Sequence, residues 1–484
     1  MRNQNLNFFK KGNIELYDEY HNYQPKNNIF KFDRQNRANI FEESTKNFLY
    51  KKNHEELSTE QTNDFFQNPN QITITLERSD STNSFFKEPE IIDGFFDHID
   101  RKKMRGECNE SNEDLKEIGF LIIIGIGLGE HIKALVEKYH IRHLILIEPD
   151  PDIFYASLHT IDWQKISQHL PSPKHSLNLF INKNPLTILN NLTSLYNTKG
   201  QINAVKTYLF CHTICKKTKE TISFLKKNYA NTINNQGFIE DEHLSISHNL
   251  NNLNQNISII SKIKSKSDTP CIICGNGPSL DDSIPHIKKR LKDFIVISCG
   301  STLGTLLKAD IIPDIHIELE RTVMTTDSIL SLNIPKEVFQ NVLFIGFNSV
   351  PPETFSLFSK KIMALNSCDS GSEALLNWLG VNLPVIAYCN PTVTNAGISV
   401  MLHLGFQEIY LAGVDLGCRD AKIHHALSSA YYEENNKPFE TYLPRDNTIE
   451  CKGNFRQTVY SNPELIQSNI NISQAISLYK NIKI

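Results

Sequence analysis

The residues best suited to chemistry sit in short stretches of the second half of the chain. His424-His425 is followed by Ser428-Ser429 and Tyr431-Tyr432. Imidazole is the default general base near neutral pH, and a phenol can neutralise charge on a departing phosphate. Two histidines, two serines and two tyrosines in one loop are hard to explain as packing, so the cluster reads as functional. Upstream lies Gly275-Asn276-Gly277-Pro278-Ser279, a turn between an apolar strand and a helix. Glycine allows close backbone approach, Pro278 suits a first helical turn, and a helix N-terminus offers N–H groups to an anion. Ser298 to Thr302, with Ser301, adds hydroxyls after a second strand. Glu318 and Glu320 are two apart, which places both on one face of a strand. Thr392, Thr394 and Asn395 precede a helix and include good N-cap types, a second anion or carboxylate site. Asp415 follows the apolar run Ile409 to Gly413.

The elements that must position these residues read as α/β. Strands are expected at 271–274, 294–299, 315–320, 342–347, 361–366, 384–389 and 408–413, with helices at 279–291, 301–308, 371–379 and 396–404. Such alternation predicts a mainly parallel sheet flanked by helices, with ligands at the strand carboxyl ends. An earlier unit has the same form. Strand Phe120–Ile124 runs into Gly125-Ile126-Gly127-Leu128-Gly129, a helix with Ile132, Leu135, Val136 and Tyr139, and a strand ending in Glu148-Pro149-Asp150. This is either a nucleotide or S-adenosylmethionine site with Glu148 on ribose hydroxyls, or a Rossmann-like scaffold without ligand. The expected organisation is an irregular α+β region at 1–112, a Rossmann-like domain at 113–245, a central catalytic domain at 246–462 and a helical tail at 463–484. Paired phenylalanines (Phe8-Phe9, Phe65-Phe66, Phe85-Phe86, Phe95-Phe96) argue against disorder in the first region, where Ile72–Leu76 is a plausible strand. The Asn-rich run 249–256 and the basic run 262–266 suggest a boundary near 246–268.

Bulk properties narrow the class. A chain of 484 residues supports two or three domains. A net charge of −4 gives no basic field for nucleic acid. The first residues lack a signal-peptide pattern, and the longest apolar stretch, Phe120 to Leu128, is too short to span a bilayer, so a cytoplasmic protein is expected. Cys271, Cys274, Cys299 and Cys389 fall in apolar strand positions and read as buried thiols. Asp150-Pro151-Asp152 spells a DxD that reads as a strand-end turn with solvated acids. The 275–279 turn lacks the Gly-Lys-Ser/Thr of an ATPase P-loop.

Two segments, CGNGPSL (274–280) and NPTVTNAGISVMLHLGFQEIYLAGVDLG (390–417), together resemble bacterial sialyltransferases. The closer resemblance is to the motility accessory factor family, Maf, supported by IIPDIHIELER (311–321), HHALSSAYY (424–432), KGNF (452–455) and the first glycine-turn unit. That resemblance implies a sialyltransferase-like (GT-A-variant) central sheet. It implies transfer of a nonulosonic acid, of pseudaminic or legionaminic type, from a CMP-sugar to Ser or Thr of flagellin. It places Gly275, Asn276, Gly277, Pro278 and Ser279 at the cytidine monophosphate, with Ser301, Glu318, Glu320, Thr392, Thr394, Asn395 and Asp415 around the donor. His424 or His425 would activate the acceptor, and Tyr431 and Tyr432 would sit near the leaving phosphate. No cofactor is required on this reading, and a divalent metal is left open. Members of the family usually continue into a helical C-terminal domain, whereas this sequence stops at Ile484. A 6-hydroxymethylpterin pyrophosphokinase, which shares the turn and would use ATP and Mg²⁺ on Glu318 and Glu320, is the alternative enzyme. A flagellin-binding motility factor without activity is the alternative non-enzyme.

Overall fold

A computed structural model describes residues 1–72, 117–171, 175–200, 207–212, 216–228, 239–255, 257–261, 267–381, 383–420, 423–432, 449–454 and 458–484. Phe85-Phe86, Phe95-Phe96, most of the expected strand Ile72–Leu76, the basic run 262–266 and Phe455 lie outside the described residues. Gly200 apart, the described residues fall into two compact units, one ending at 228 and the other beginning at 239.

The first unit opens with α1 (Arg2–Gly12), α2 (Ile14–Tyr20), a small antiparallel sheet of β1 (Asn28–Phe32), β2 (Ala38–Glu42) and β3 (Asn47–Phe48), and α3 (His54–Gln67). Its main sheet joins β4 (Gln71–Ile72), β5 (Glu117–Ile124), β6 (His140–Glu148), β7 (Ser176–Ile181) and β8 (Thr207–Cys211) in the order β4-β8-β5-β6-β7. All neighbours are parallel except β4 with β8. From Ile118 to Ile124, β5 is buried throughout, as a strand covered on both faces must be. Helices α4 (Glu130–Lys138), α5 (Pro151–Ser157), α6 (Trp163–Gln168), α7 (Pro185–Lys199) and α8 (Lys216–Asn228) complete the unit. Leu6, Phe9, Leu16, Tyr20 and Phe65 share one core with Ile118, Leu121, Ile132 and Leu135, so no core divides at residue 112.

The DxD turn is a fastener, which corrects the expectation of solvated acids. Asp152 is buried and accepts from the Tyr23 hydroxyl at 2.7 Å and from the N–H groups of Lys26, Asn27 and Asn28 at 2.7–3.0 Å. Asp150 accepts from the Asn28 side chain at 3.0 Å. The glycine turn after β5 is likewise closed by the protein itself. A Cβ on Gly127, whose φ is +53°, would collide with the Tyr50 hydroxyl and lie 2.7 Å from the His212 ring. Tyr50 Oη and His212 Nε2 are 2.9 Å apart, and the His212 ring stacks on His131 at 3.9 Å. Glu148 is buried and accepts the Ile126 N–H at 2.8 Å and the Asp150 N–H at 3.1 Å. Burial pushes its carboxyl up to about 7. A carboxylate spent this way does not reach ribose hydroxyls, and of the two readings of this turn the structure favours the scaffold.

The second unit begins with α9 (Ile239–Asn254), β9 (Ser258–Ile259), β10 (Cys271–Cys274), α10 (Ser279–Lys289), β11 (Ile295–Cys299), α11 (Thr302–Lys308) and β12 (Ile315–Glu318). It continues through α12 (Met324–Ser331), α13 (Lys336–Asn341), β13 (Leu343–Phe347), α14 (Pro352–Leu357), β14 (Lys360–Ala364), α15 (Ser370–Leu379), α16 (Val393–His403) and β15 (Ile409–Ala412). A two-stranded ribbon, β16 (Ile449–Cys451) with β17 (Val459–Ser461), precedes α17 (Pro463–Ser477). The seven-stranded sheet has the order β15-β10-β11-β12-β13-β14-β9 and is parallel throughout. Alternation along β10 serves two cores. Cys271 and Ile273 pack with Ala396, Ile398 and Met401 of α16, while Ile272 and Cys274 pack with Leu280 and Ile287 of α10. Cys271, Cys274, Cys299 and Cys389 are all buried and without disulfides.

Two strand expectations change. Residues 384–389 form no strand, only a single bridge between Asn366 and Ile386. Pro384 has no N–H for a ladder, and Tyr388 takes a φ of 62°. In the segment read as linker, β9 instead adds an edge strand beside β14.

Gly127→Ala should destabilise the first unit by about 2–4 kcal/mol, since it adds a collision to a left-handed backbone. Gly12, which has open space around it, is the matched control. Denaturant unfolding of the two variants checks this.

Candidate functional site

The chain reverses direction across the sheet at β10. From there β11 to β14 follow in succession on one side, and β15 returns to the other. In open parallel sheets ligands bind beyond the strand carboxyl ends at such a switch point. The loops that meet there are Gly275–Pro278 after β10 and Gly413–Asp415 after β15.

These loops are drawn together by backbone bonds and one carboxylate. Gly275 N–H donates to Ala412 O and Gly277 N–H to Gly413 O, both at 2.8 Å. Asp415 accepts from Ser279 N–H at 2.7 Å and from Ser279 Oγ at 2.9 Å. A Cβ on Gly275 would stand 2.6 Å from Gly413 O, and one on Gly277 would stand 2.5 Å from the Asp415 carboxylate. The glycines are therefore required by the approach of the neighbouring loop. The expected cradle of N–H groups is corrected on this point. The N–H groups of Gly275, Gly277 and Ser279 are engaged within the fold, and Pro278 has none. Asp415 occupies the helix terminus where an anion was expected.

The side chains beside the turn bond to one another. The Asn276 amide donates to Ser301 Oγ at 3.0 Å and accepts from Thr305 Oγ1 at 2.9 Å. Ser301 Oγ also accepts from Tyr431 Oη at 3.3 Å. The backbone carbonyl of Asn276 accepts from Ala426 N–H at 2.9 Å. A continuous hydrogen-bonded line thus joins the loop after β10, the start of α11 and the His/Tyr loop. The His425 ring stacks on Tyr431 with centroids 3.8 Å apart, and His425 Nδ1 lies 2.5 Å from His424 Nδ1. Burial, with His424 adding repulsion, pushes the His425 imidazole down to about 4, so it is neutral at physiological pH.

Three expected site residues prove to be structural, and Glu320 is only half so placed. Tyr432 is buried, and its hydroxyl accepts the N–H groups of His424 and His425 at 3.0 Å each. It pins the loop, with its hydroxyl engaged by the backbone of His424 and His425. Asn395 is fully buried and bonded to Ser468 of α17, so it holds two helices together. Glu318 ends β12 with its carboxyl folded onto the N–H groups of Leu319 and Glu320, at 2.9 and 3.3 Å. Burial pushes that carboxyl up to about 8. Because β12 stops at Glu318, the alternation expected to align it with Glu320 fails, and Glu320 is exposed while Glu318 is buried. Thr392 Oγ1 and Thr394 Oγ1 are 2.7 Å apart at the start of α16, and Thr394 Cγ2 lies beside Gly275. They stay with the rim.

The residue missed from sequence is Asp281. Its carboxylate accepts Leu427 N–H at 2.7 Å and Ser428 Oγ at 2.6 Å, clamping the His/Tyr loop onto α10. Its place in the first turn of α10 was a visible signal only for helix charge. A shallow hollow on α17 lined by Asn469, Ile470, Ser473, Gln474 and Ser477 bears no titratable group.

Residues 2–234 match the family model described as the glycosyltransferase Maf N-terminal domain. Residues 246–421 match the model described as 6-hydroxymethylpterin diphosphokinase MptE-like. A solved structure of the Maf glycosyltransferase from Magnetospirillum magneticum AMB-1 aligns with a TM-score of 0.55 at 23% identity, covering 99% of this chain and 71% of that one. Residues 2–234 carry a domain of the Maf glycosyltransferase family. No curated protein matches it at a significant level. The Maf structure shares the fold, two Rossmann-like units with parallel sheets flanked by helices. Among the described residues of this chain no helix is long and apolar enough to cross a membrane.

An NMR titration should find the His425 imidazole neutral down to about pH 5. In Tyr431→Ala, which unstacks and exposes the ring, its titration should move up toward 6.5.

Proposed function

We propose that the rim where the loops after β10 and β15 meet binds a CMP-activated nonulosonic acid, of pseudaminic or legionaminic type. The sugar passes to Ser or Thr hydroxyls of flagellin in the cytoplasm, supporting flagellum assembly and motility. The observation that carries this reading is the single hydrogen-bonded line Asn276–Ser301–Tyr431 with His425 stacked at its end. The amide and hydroxyls of that line suit a phosphate with one leaving oxygen, which needs no metal ion to neutralise it. The bond from the anomeric carbon to the phosphate oxygen breaks with its electron pair staying on CMP. A bond from the acceptor oxygen forms, and the acceptor proton passes to the neutral imidazole of the His424/His425 pair. Thr392 and Thr394 are the hydroxyls placed for the sugar carboxylate. Asp415, Gly275, Gly277, Pro278 and Ser279 shape the rim through backbone geometry.

A second reading is favoured by the MptE-like match over 246–421. It requires ATP and a metal on Glu318 and Glu320. Glu318 Oε1 is already engaged by the N–H groups of Leu319 and Glu320, which counts against its use as a metal ligand.

CMP should raise the melting temperature of the chain, and Asn276→Ala or Ser301→Ala should weaken CMP binding about tenfold. Stabilisation by ATP with Mg²⁺ and not by CMP would establish the second reading. His424→Ala or His425→Ala should lower transfer by roughly 10²–10⁴ with CMP affinity kept. Full activity in both single variants refutes the base assignment.

A further inference from the structure

We infer that Asp281 is a positioning residue for the His424/His425 pair, acting through the loop 423–432. This inference rests on the proposed function for its catalytic consequence, though its structural half stands alone. Besides the Tyr431 Oη bond to Ser301 Oγ at 3.3 Å, the loop has three moorings among the described residues. Ala426 is fully buried among Leu280, Ile287 and Ala412, and its N–H donates to Asn276 O. Tyr432 ties the two histidine N–H groups from the far end. Between them, Asp281 takes two bonds at once, from Leu427 N–H and Ser428 Oγ.

The first two moorings fix where the loop sits but leave its middle to pivot. Ala426 is a single contact point, and Tyr432 bonds to the same residues whose rings must be aimed. A carboxylate with both oxygens engaged removes rotation about that pivot. It sits two residues after Ser279, on the helix that Asp415 holds to the sheet, so the aim of the rings is referred to the rim. A charged acceptor also makes each bond stronger than a neutral one would be. Lys308 Nζ, 3.3 Å from Ser428 O, adds a fourth contact on the outer side.

Asp281→Ala, Asp281→Asn and Ser428→Ala test this in the full chain. In Asp281→Ala, amide exchange across 423–432 should rise about tenfold, and the paired-imidazole nitrogen resonances of His424 and His425 should lose their close-contact signature. Turnover should fall about tenfold while KM for the CMP-sugar stays within about twofold. Asp281→Asn should recover most of both, because its carbonyl can accept Leu427 N–H and its amide can donate to Ser428 Oγ. Ser428→Ala, losing one bond, should fall between. Unchanged exchange and unchanged imidazole resonances in Asp281→Ala overturn the inference. So does loosened exchange with wild-type turnover. If the unaltered chain transfers no sugar while exchange and resonances respond as expected, the proposed function fails and the clamp stands.

Discussion

One carboxylate, that of Asp415, joins the two loops on which the second unit's rim depends. It caps the first N–H of α10 and holds Ser279 Oγ, so the helix terminus carries its counter-charge from within the chain. The backbone of Gly275 and Gly277 then lies against Ala412 and Gly413 with no room for a side chain. This contact ties the returning strand β15 to β10 at the point where the sheet changes direction. It also engages the N–H groups of Gly275, Gly277 and Ser279, beside which the side chains of Asn276, Ser301 and Tyr431 bond in a line.

The first unit shows the opposite use of the same topology. Its sheet also changes direction, at β5, and a glycine turn stands there too. Tyr50 from the N-terminal segment and His212 from the end of β8 fill the space against that turn, and Glu148 ties it down from within. Two crevices of one design therefore have different fates, decided by which side chains the chain delivers to the rim. Topology alone assigns no ligand to either.

The strongly periodic parts of the fold were legible from sequence. The apolar runs of β5 and β10, the glycine turns after them and the amphipathic helices α4 and α10 all stand where spacing placed them. The misses have specific causes. Helices α12, α13 and α14 are six to eight residues long, too short for a period to register. The run 384–389 looked like a strand because it is continuously apolar, while Pro384 removes a ladder donor. At the site, residue types marked the right loop, and hydrogen-bond partners then sorted its members. Tyr431 and Tyr432 are equivalent in sequence, yet one reaches Ser301 and the other is buried against backbone. Asp281 was invisible because its partners lie 146 and 147 residues away.

The N-terminal segment carries a consequence for how the chain assembles. Asn5 bonds to Leu158 across 153 residues, Tyr23 to Asp152 across 129, and Tyr50 to His212 across 162. Contacts of such separation are entropically costly to close and slow to form. On the ribosome, Asn5, Tyr23 and Tyr50 wait for partners made 153, 129 and 162 residues later. Phe9 and Tyr20 wait for Phe154 and Trp163, and Phe65 waits for Tyr208 and Phe210 of β8, so the nascent chain passes through a long interval of stickiness that a chaperone would have reason to cover.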